Sequence, residues 1–174
     1  MFNLKQLLGI LACLFLLAGC ASQQNKNQLG STGSTGNGGK VSQQITHDLE
    51  AMYQSGRTYQ EEANFPEAIT TYENILAIDP DYAEAYNGLG VIYAIQEKFE
   101  PALLHLQKAI TLEPLASHLH NNLGYTYLLM GREAEAIRSF KQALRLDPGN
   151  QKARANLTAI HYKNKTDTTR TTKE

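Results

Sequence analysis

The chain reads as an all-α solenoid of three stacked helical hairpins followed by a C-terminal capping helix. Two observations carry that reading. Four landmarks return every 34 residues: glycine at Gly56, Gly90 and Gly124, tyrosine at Tyr59, Tyr93 and Tyr127, alanine at Ala68, Ala102 and Ala136, and proline at Pro80, Pro114 and Pro148. Between the landmarks, apolar residues recur at helical spacing, as in Tyr86, Leu89, Gly90 and Tyr93 and then Phe99, Ala102, Leu106 and Ala109. A fixed period of this length marks arrays in which each hairpin buries its apolar face against the next.

The N-terminal end is a different object. Met1 to Gln6 carries one charge, Lys5, and Leu7 to Ala18 is an apolar run. That run is shorter than the ~20 residues a helix needs to cross a bilayer, and it fits the apolar part of a secretory signal. It ends in Leu17-Ala18-Gly19-Cys20, which resembles the bacterial lipobox. The resemblance implies that 1–19 is a signal peptide removed before Cys20, and that Cys20 carries a diacylglycerol and an N-acyl chain. A thiolate is the side chain suited to such alkylation, and two acyl chains already give lasting attachment. Cys13 leaves with the signal, so the mature chain keeps no free thiol. Ala21 in place of an aspartate implies an outer-membrane protein facing the periplasm. Residues 20–47 are rich in Gln, Asn, Ser, Thr and Gly and read as a flexible linker, with a reach on the order of 25–30 Å.

Aligned on the landmarks, a domain over 48–162 contains units 49–82, 83–116 and 117–150 and a cap over 151–162. The units resemble the tetratricopeptide repeat. A glycine inside a helix costs about 1 kcal/mol against alanine, so three at one phase need a packing reason. The expectation is that they face Ala68, Ala102 and Ala136 and let the paired helices approach closely. Unit one departs most, with Ser55 for the usual leucine and Ile75 for the usual small residue, as a terminal repeat tolerates. The cap has Ala155, Leu157 and Ile160 as its main apolar positions, and 163–174 is a polar, basic tail.

The resemblance also implies where partners bind. In such arrays the first helix of each hairpin lines a concave groove. Carried onto this chain, the groove holds Tyr53 and Arg57 from unit one, and Asn87, Val91 and Ile95 from unit two. Unit three adds His118, Asn121, Asn122, Tyr125 and Leu129. The middle of the groove is expected to be apolar (Val91, Ile95, Tyr125, Leu129), with Asn87 and Asn121 placed at equivalent positions to bond an extended backbone. The slots that hold lysines and arginines in relatives gripping a C-terminal carboxylate are Tyr53, Gly88 and His118, so that grip is not matched.

Charge is distributed unevenly. Residues 48–100 carry eleven acids and two bases, whereas 130–174 carry ten bases and five acids. The absence of a dense basic stripe, with export, argues against nucleic acid. No HExxH, phosphate loop, dinucleotide fingerprint or GxSxG is present. His118 and His120 are two apart on a helix and do not face each other, a poor metal pair, and the carboxylates fall on expected exposed faces. No catalytic residue, metal, cofactor or small-molecule substrate is expected, and the chain is read as no enzyme. The layout is similar to that of pilotin-like lipoproteins of type IV pilus systems and of Flp pilus assembly lipoproteins. It implies a membrane-anchored scaffold or adaptor binding envelope proteins or their peptide segments during assembly of a pilus or secretion system. Adaptors for peptidoglycan hydrolases share the layout, and an envelope hydrolase is a further reading that lacks a catalytic constellation.

Overall fold

The computed structural model describes residues 38–171, with side chains over 43–165. The expected signal, Cys20 and the linker as far as residue 37 lie outside the described residues. Seven helices follow one another: α1 Gly38–Glu61, α2 Phe65–Ile78, α3 Ala83–Ile95, α4 Phe99–Leu112, α5 Ser117–Leu129, α6 Glu133–Leu146 and α7 Gln151–Thr171. No strand occurs among the described residues. They pair as hairpins α1–α2, α3–α4 and α5–α6, with α7 closing the array against α6 and α5. The first helices also touch each other in sequence, α1 to α3 to α5 to α7, whereas the second helices do not. The array therefore curves with its first helices on the inside.

Each landmark has a physical role. The hairpin loops are three copies of one turn: Asn64, Lys98 and Arg132 donate backbone N–H to the carbonyls of Tyr59, Tyr93 and Tyr127 at 2.8, 2.9 and 2.8 Å. This is a Schellman-type helix end, in which one residue takes left-handed geometry. That residue is Ala63, Glu97 and Gly131, at φ 57°, 59° and 73°. Only the third copy has the residue suited to it. A left-handed residue with a Cβ costs about 1–2 kcal/mol, and glycine's freedom in the unfolded chain returns about 0.4–1 kcal/mol of that. Ala63→Gly and Glu97→Gly are each expected to stabilise by about 0.5–1 kcal/mol, read as a rise in urea midpoint. Gly131→Ala should lower it. After the second helices, Asp79 and Asp147 accept backbone N–H from Asp81 and Gly149 at 3.0 and 2.8 Å, which turns the chain at Pro80 and Pro148.

Two of the repeat glycines, Gly90 and Gly124, face their landmark alanines as expected, but the nearest contact of all three is a large side chain. A Cβ on Gly56, Gly90 or Gly124 would lie 2.7 Å from Tyr72, 2.6 Å from Leu106 and 2.8 Å from Phe140 respectively. Each of these large side chains follows its landmark alanine by one helical turn and lies fully buried against the glycine. The alanines are buried too, and for two of them the carbonyl also faces the glycine, Ala102 O and Ala136 O at 3.2 Å. Tyr72 is the largest of the three, and its ring also fills the space beside Gly88 of the next repeat. The first core therefore runs across α1, α2 and α3 through Leu49, Tyr72, Ile75, Leu89 and Ile92. Ile75, unusual for its position, is fully buried there, whereas Ser55 is exposed and donates to Ala51 O at 3.0 Å.

Both domain boundaries move. Helix α1 begins at Gly38, ahead of the expected Asp48, so 38–47 is helix rather than linker. Ile45, Leu49 and Met52 continue one helical face through that stretch, and Gln44 donates to Asp48 at 2.8 Å across one turn. At the other end α7 runs on to Thr171, past the cap expected to end at Tyr162 and through most of the expected tail. It buries Ala153 and Ile160, with Leu157 partly covered, against Phe140 of the third hairpin. Ala155, expected inward, is exposed.

Candidate partner-binding groove

The first helices of the three hairpins bring Tyr53, Arg57, Asn87, Val91, His118, Asn121 and Asn122 to one cavity of about 550 Å³ on the inner face. Tyr125 lines an adjoining hollow between α5 and α7 with Asn121, Asn122 and Ala155. Ile95 and Leu129 are 50% and 43% exposed and line neither. Of the expected apolar middle, Val91 lines the main cavity and Tyr125 the adjoining hollow, among mostly polar neighbours.

Its floor is organised around Glu84. This residue is only 26% exposed at its side chain and ion-pairs with His118 at 2.7 Å. Tyr53 Oη donates to Glu84 Oε2 at 3.4 Å and Asn87 Nδ2 to the same oxygen at 3.1 Å. A relay of amides leads to the carboxylate from the far end of the array. Asn156 donates to Asn121 at 3.2 Å, Asn121 to Asn122 at 3.2 Å, and Asn122 to Asn87 at 2.8 Å. Every amide dipole in the relay points the same way, so the bonds polarise one another toward the negative end. Burial pushes the Glu84 carboxyl up, but His118, Asn87 and Tyr53 outweigh it and hold the group below its ordinary value. The hydrogen bond to Glu84 holds the His118 imidazolium above its ordinary value against partial burial.

These bonds revise the roles of the asparagines. Asn121 is buried, 5% exposed, with its amide used within the array. Asn87 is likewise committed at both ends. They join neighbouring first helices rather than wait for a ligand backbone. The signal for this was present as an offset: Asn87–Asn122 and Asn121–Asn156 are each 35 residues apart, one more than the period.

An aromatic cluster flanks the carboxylate on the α1 side. Tyr53 stands 6.2 Å from Tyr72 and 5.9 Å from Tyr82 between ring centroids, and Tyr82 Oη donates to Glu50 at 3.1 Å. Burial pushes the Tyr53 phenol up to about 12, so it remains a donor across the physiological range. Arg57 is held by Glu61 at 3.0 Å on the same wall, and Lys152 reaches the opposite wall from α7.

Comparison with known proteins decides the family. Family models of the tetratricopeptide repeat match residues 48–112 and 118–150, together more than half of the chain. The chain is a tetratricopeptide-repeat protein. No curated protein matches it in sequence. Among solved structures, tetratricopeptide regions of several larger or unrelated proteins share the fold. A mutant O-GlcNAc transferase from Thermobaculum terrenum is 26% identical, with a TM-score of 0.64 over 68% of this chain. This chain spans only 23% of that protein. The crystal structure of MamA is 28% identical, with a TM-score of 0.54 over 66% of this chain and 67% of that one. The first tetratricopeptide domain of Spaghetti (RPAP3), bound to the HSP90 peptide SRMEEVD, matches in fold at 21% identity. Its TM-score is 0.60 over 66% of this chain and 90% of that one. Among the described residues no three or more metal-ligating side chains come together. His120, read as a poor metal partner for His118, contacts Pro114 O at 3.0 Å.

Proposed function

We propose that this tetratricopeptide protein is a lipid-anchored adaptor of the bacterial envelope whose inner groove holds an extended segment of a partner. The observation that carries the groove reading is the cavity of about 550 Å³ lined by first-helix residues of all three hairpins. A fold relative holds the HSP90 peptide SRMEEVD, and a peptide segment is likewise the occupant proposed for this chain. The anchor reading rests on Leu17-Ala18-Gly19-Cys20 after its apolar run. The layout supports assembly of an envelope machine such as a pilus or secretion system. Service to peptidoglycan hydrolases is the second reading, and an enzyme of the envelope is disfavoured because no catalytic constellation stands in the groove.

Two measurements test the pieces separately. Cys20→Ala is expected to abolish incorporation of an alkyne fatty acid in cells, and equal labelling of variant and wild type would remove the anchor. For the groove, Tyr125 and Ile95 are 46% and 50% exposed, so Tyr125→Ala with Ile95→Ala leaves the fold intact. Truncating an aromatic anchor costs about 2 kcal/mol or more, roughly a thirtyfold loss of affinity. Recovery of the partner after crosslinking in the native membrane should collapse. The outer-face pair Leu104→Ala with Lys141→Ala should leave recovery unchanged, and the reverse pattern would put the binding face on the convex side.

A further inference from the structure

Resting on the groove reading, we propose that the segment bound there inserts a cationic group, a lysine or arginine side chain, against Glu84, with His118 as the internal cation that gives way. Glu84 is positioned as a receptor for a positively charged N–H donor. Its carboxylate is drawn below the groove surface and already binds one such donor at 2.7 Å. The donors that fix its orientation, Asn87 and Tyr53, sit on the other oxygen and stay in place when His118 leaves. His118 is the movable partner. Its side chain is 49% exposed, near the start of α5, and ion-pairs with Glu84.

The surroundings favour a cation over an anion. Tyr53 lines the cavity and donates to the carboxylate, and an aromatic face attracts a cation. Glu50 and Glu61 lie on the same side, within the stretch 48–100 that carries eleven acids against two bases. The bases near the cavity are Arg57, taken by Glu61 at 3.0 Å, and Lys152 on the opposite wall. A segment ending in carboxylates would meet Glu84 with its one clamping cation, His118, already used.

Proton loss from His118 should therefore open the site. The groups that act on the imidazole from neighbouring elements are Glu84 of α3, Glu113 at the end of α4 and Lys152 of α7. Those that act on Glu84 include Tyr53 of α1 and Asn87 on its own helix. Below the imidazole's titration the internal cation competes with the ligand, and above it the competitor is neutral while lysine stays charged.

The test uses the full chain in detergent and two acetylated, amidated nonapeptides that are identical except for a central lysine or glutamate. Isothermal titration at about pH 6 and about pH 9 spans the ordinary histidine range and the upward shift that Glu84 imposes on His118. The lysine probe should bind about tenfold or more tightly than the glutamate probe. Its affinity should rise about threefold or more from the lower pH to the higher. Glu84→Gln should erase the preference, and His118→Ala should keep the preference and erase the pH dependence. Equal or reversed affinities, no binding of either probe, or a preference that survives Glu84→Gln would overturn the assignment. If the lysine probe fails while Tyr125→Ala with Ile95→Ala still loses the native partner, the cation site falls and the groove stands. If neither experiment gives its expected result, both readings fall.

Discussion

Tyr72→Ala should be among the most damaging single changes in this array, with a loss of about 3–5 kcal/mol, the cost of deleting a buried aromatic ring. Tyr72 is fully buried and contacts the positions of Gly56 and Gly88 at once. It therefore seals α2 to the α1 of its own hairpin and to the α3 of the next. Glycines on two sides cannot lean in to fill the space, so the cavity would stay open. Tyr72→Phe should cost only about 0.5–1.5 kcal/mol, the usual net worth of one hydrogen bond, because it removes just the bond to Gln60 at 3.1 Å. The second repeat places Leu106 at the equivalent position. Tyr72→Leu should accordingly rescue part of the loss caused by Gly88→Ala, with a coupling of about 0.5–3 kcal/mol. Urea unfolding of the full chain followed by circular dichroism measures the four single variants and the Tyr72→Leu, Gly88→Ala double variant. Additive single effects would show that the ring does not occupy the space beside Gly88.

Gly124→Leu is the second large effect. Leucine is the better helix former by almost 1 kcal/mol, so propensity alone forecasts stabilisation. Packing opposes it. The added Cβ would lie 2.8 Å from Phe140 Cδ1 and 3.2 Å from the carbonyl of Ala136. The ring is fully buried and the carbonyl is backbone, so neither yields cheaply. Overpacking of this kind costs about 1–3 kcal/mol, and the net result should be a lower urea midpoint. Lys141→Ala, on an exposed face of α6, should stay within about 0.5 kcal/mol. A raised midpoint for Gly124→Leu would mean that the glycine marks no close contact.

The period of the landmarks was enough to place the hairpins, because each landmark is demanded by local geometry that the chain repeats. The partners of the glycines were less legible. Tyr72, Leu106 and Phe140 also recur at the period, but they differ in kind, so residue identity conceals the shared position. The left-handed turns were concealed in the same way, since only Gly131 of the three carries the residue its φ calls for. Helix starts were faint because α2 to α6 have no side-chain N-cap bond. The groove positions could be assigned by resemblance, and seven of the ten do meet at the main cavity. The state of their side chains could not be assigned in advance. Whether Asn121 faces a ligand or Asn156 depends on the small rotation between repeats. That rotation shifts the amide contacts by one residue from the period, which no single repeat encodes.

The touching first helices and separated second helices also say how the array can bend. In a flexed beam, one line keeps its length while the material farther out stretches or compresses. Here that neutral line runs through α1, α3, α5 and α7, whose mutual contacts hold their spacing, while the gaps between α2, α4 and α6 take up the strain. The groove lies along the neutral line. A solenoid of this build can be pulled or curved along its length while the row of side chains lining its inner groove keeps its spacing.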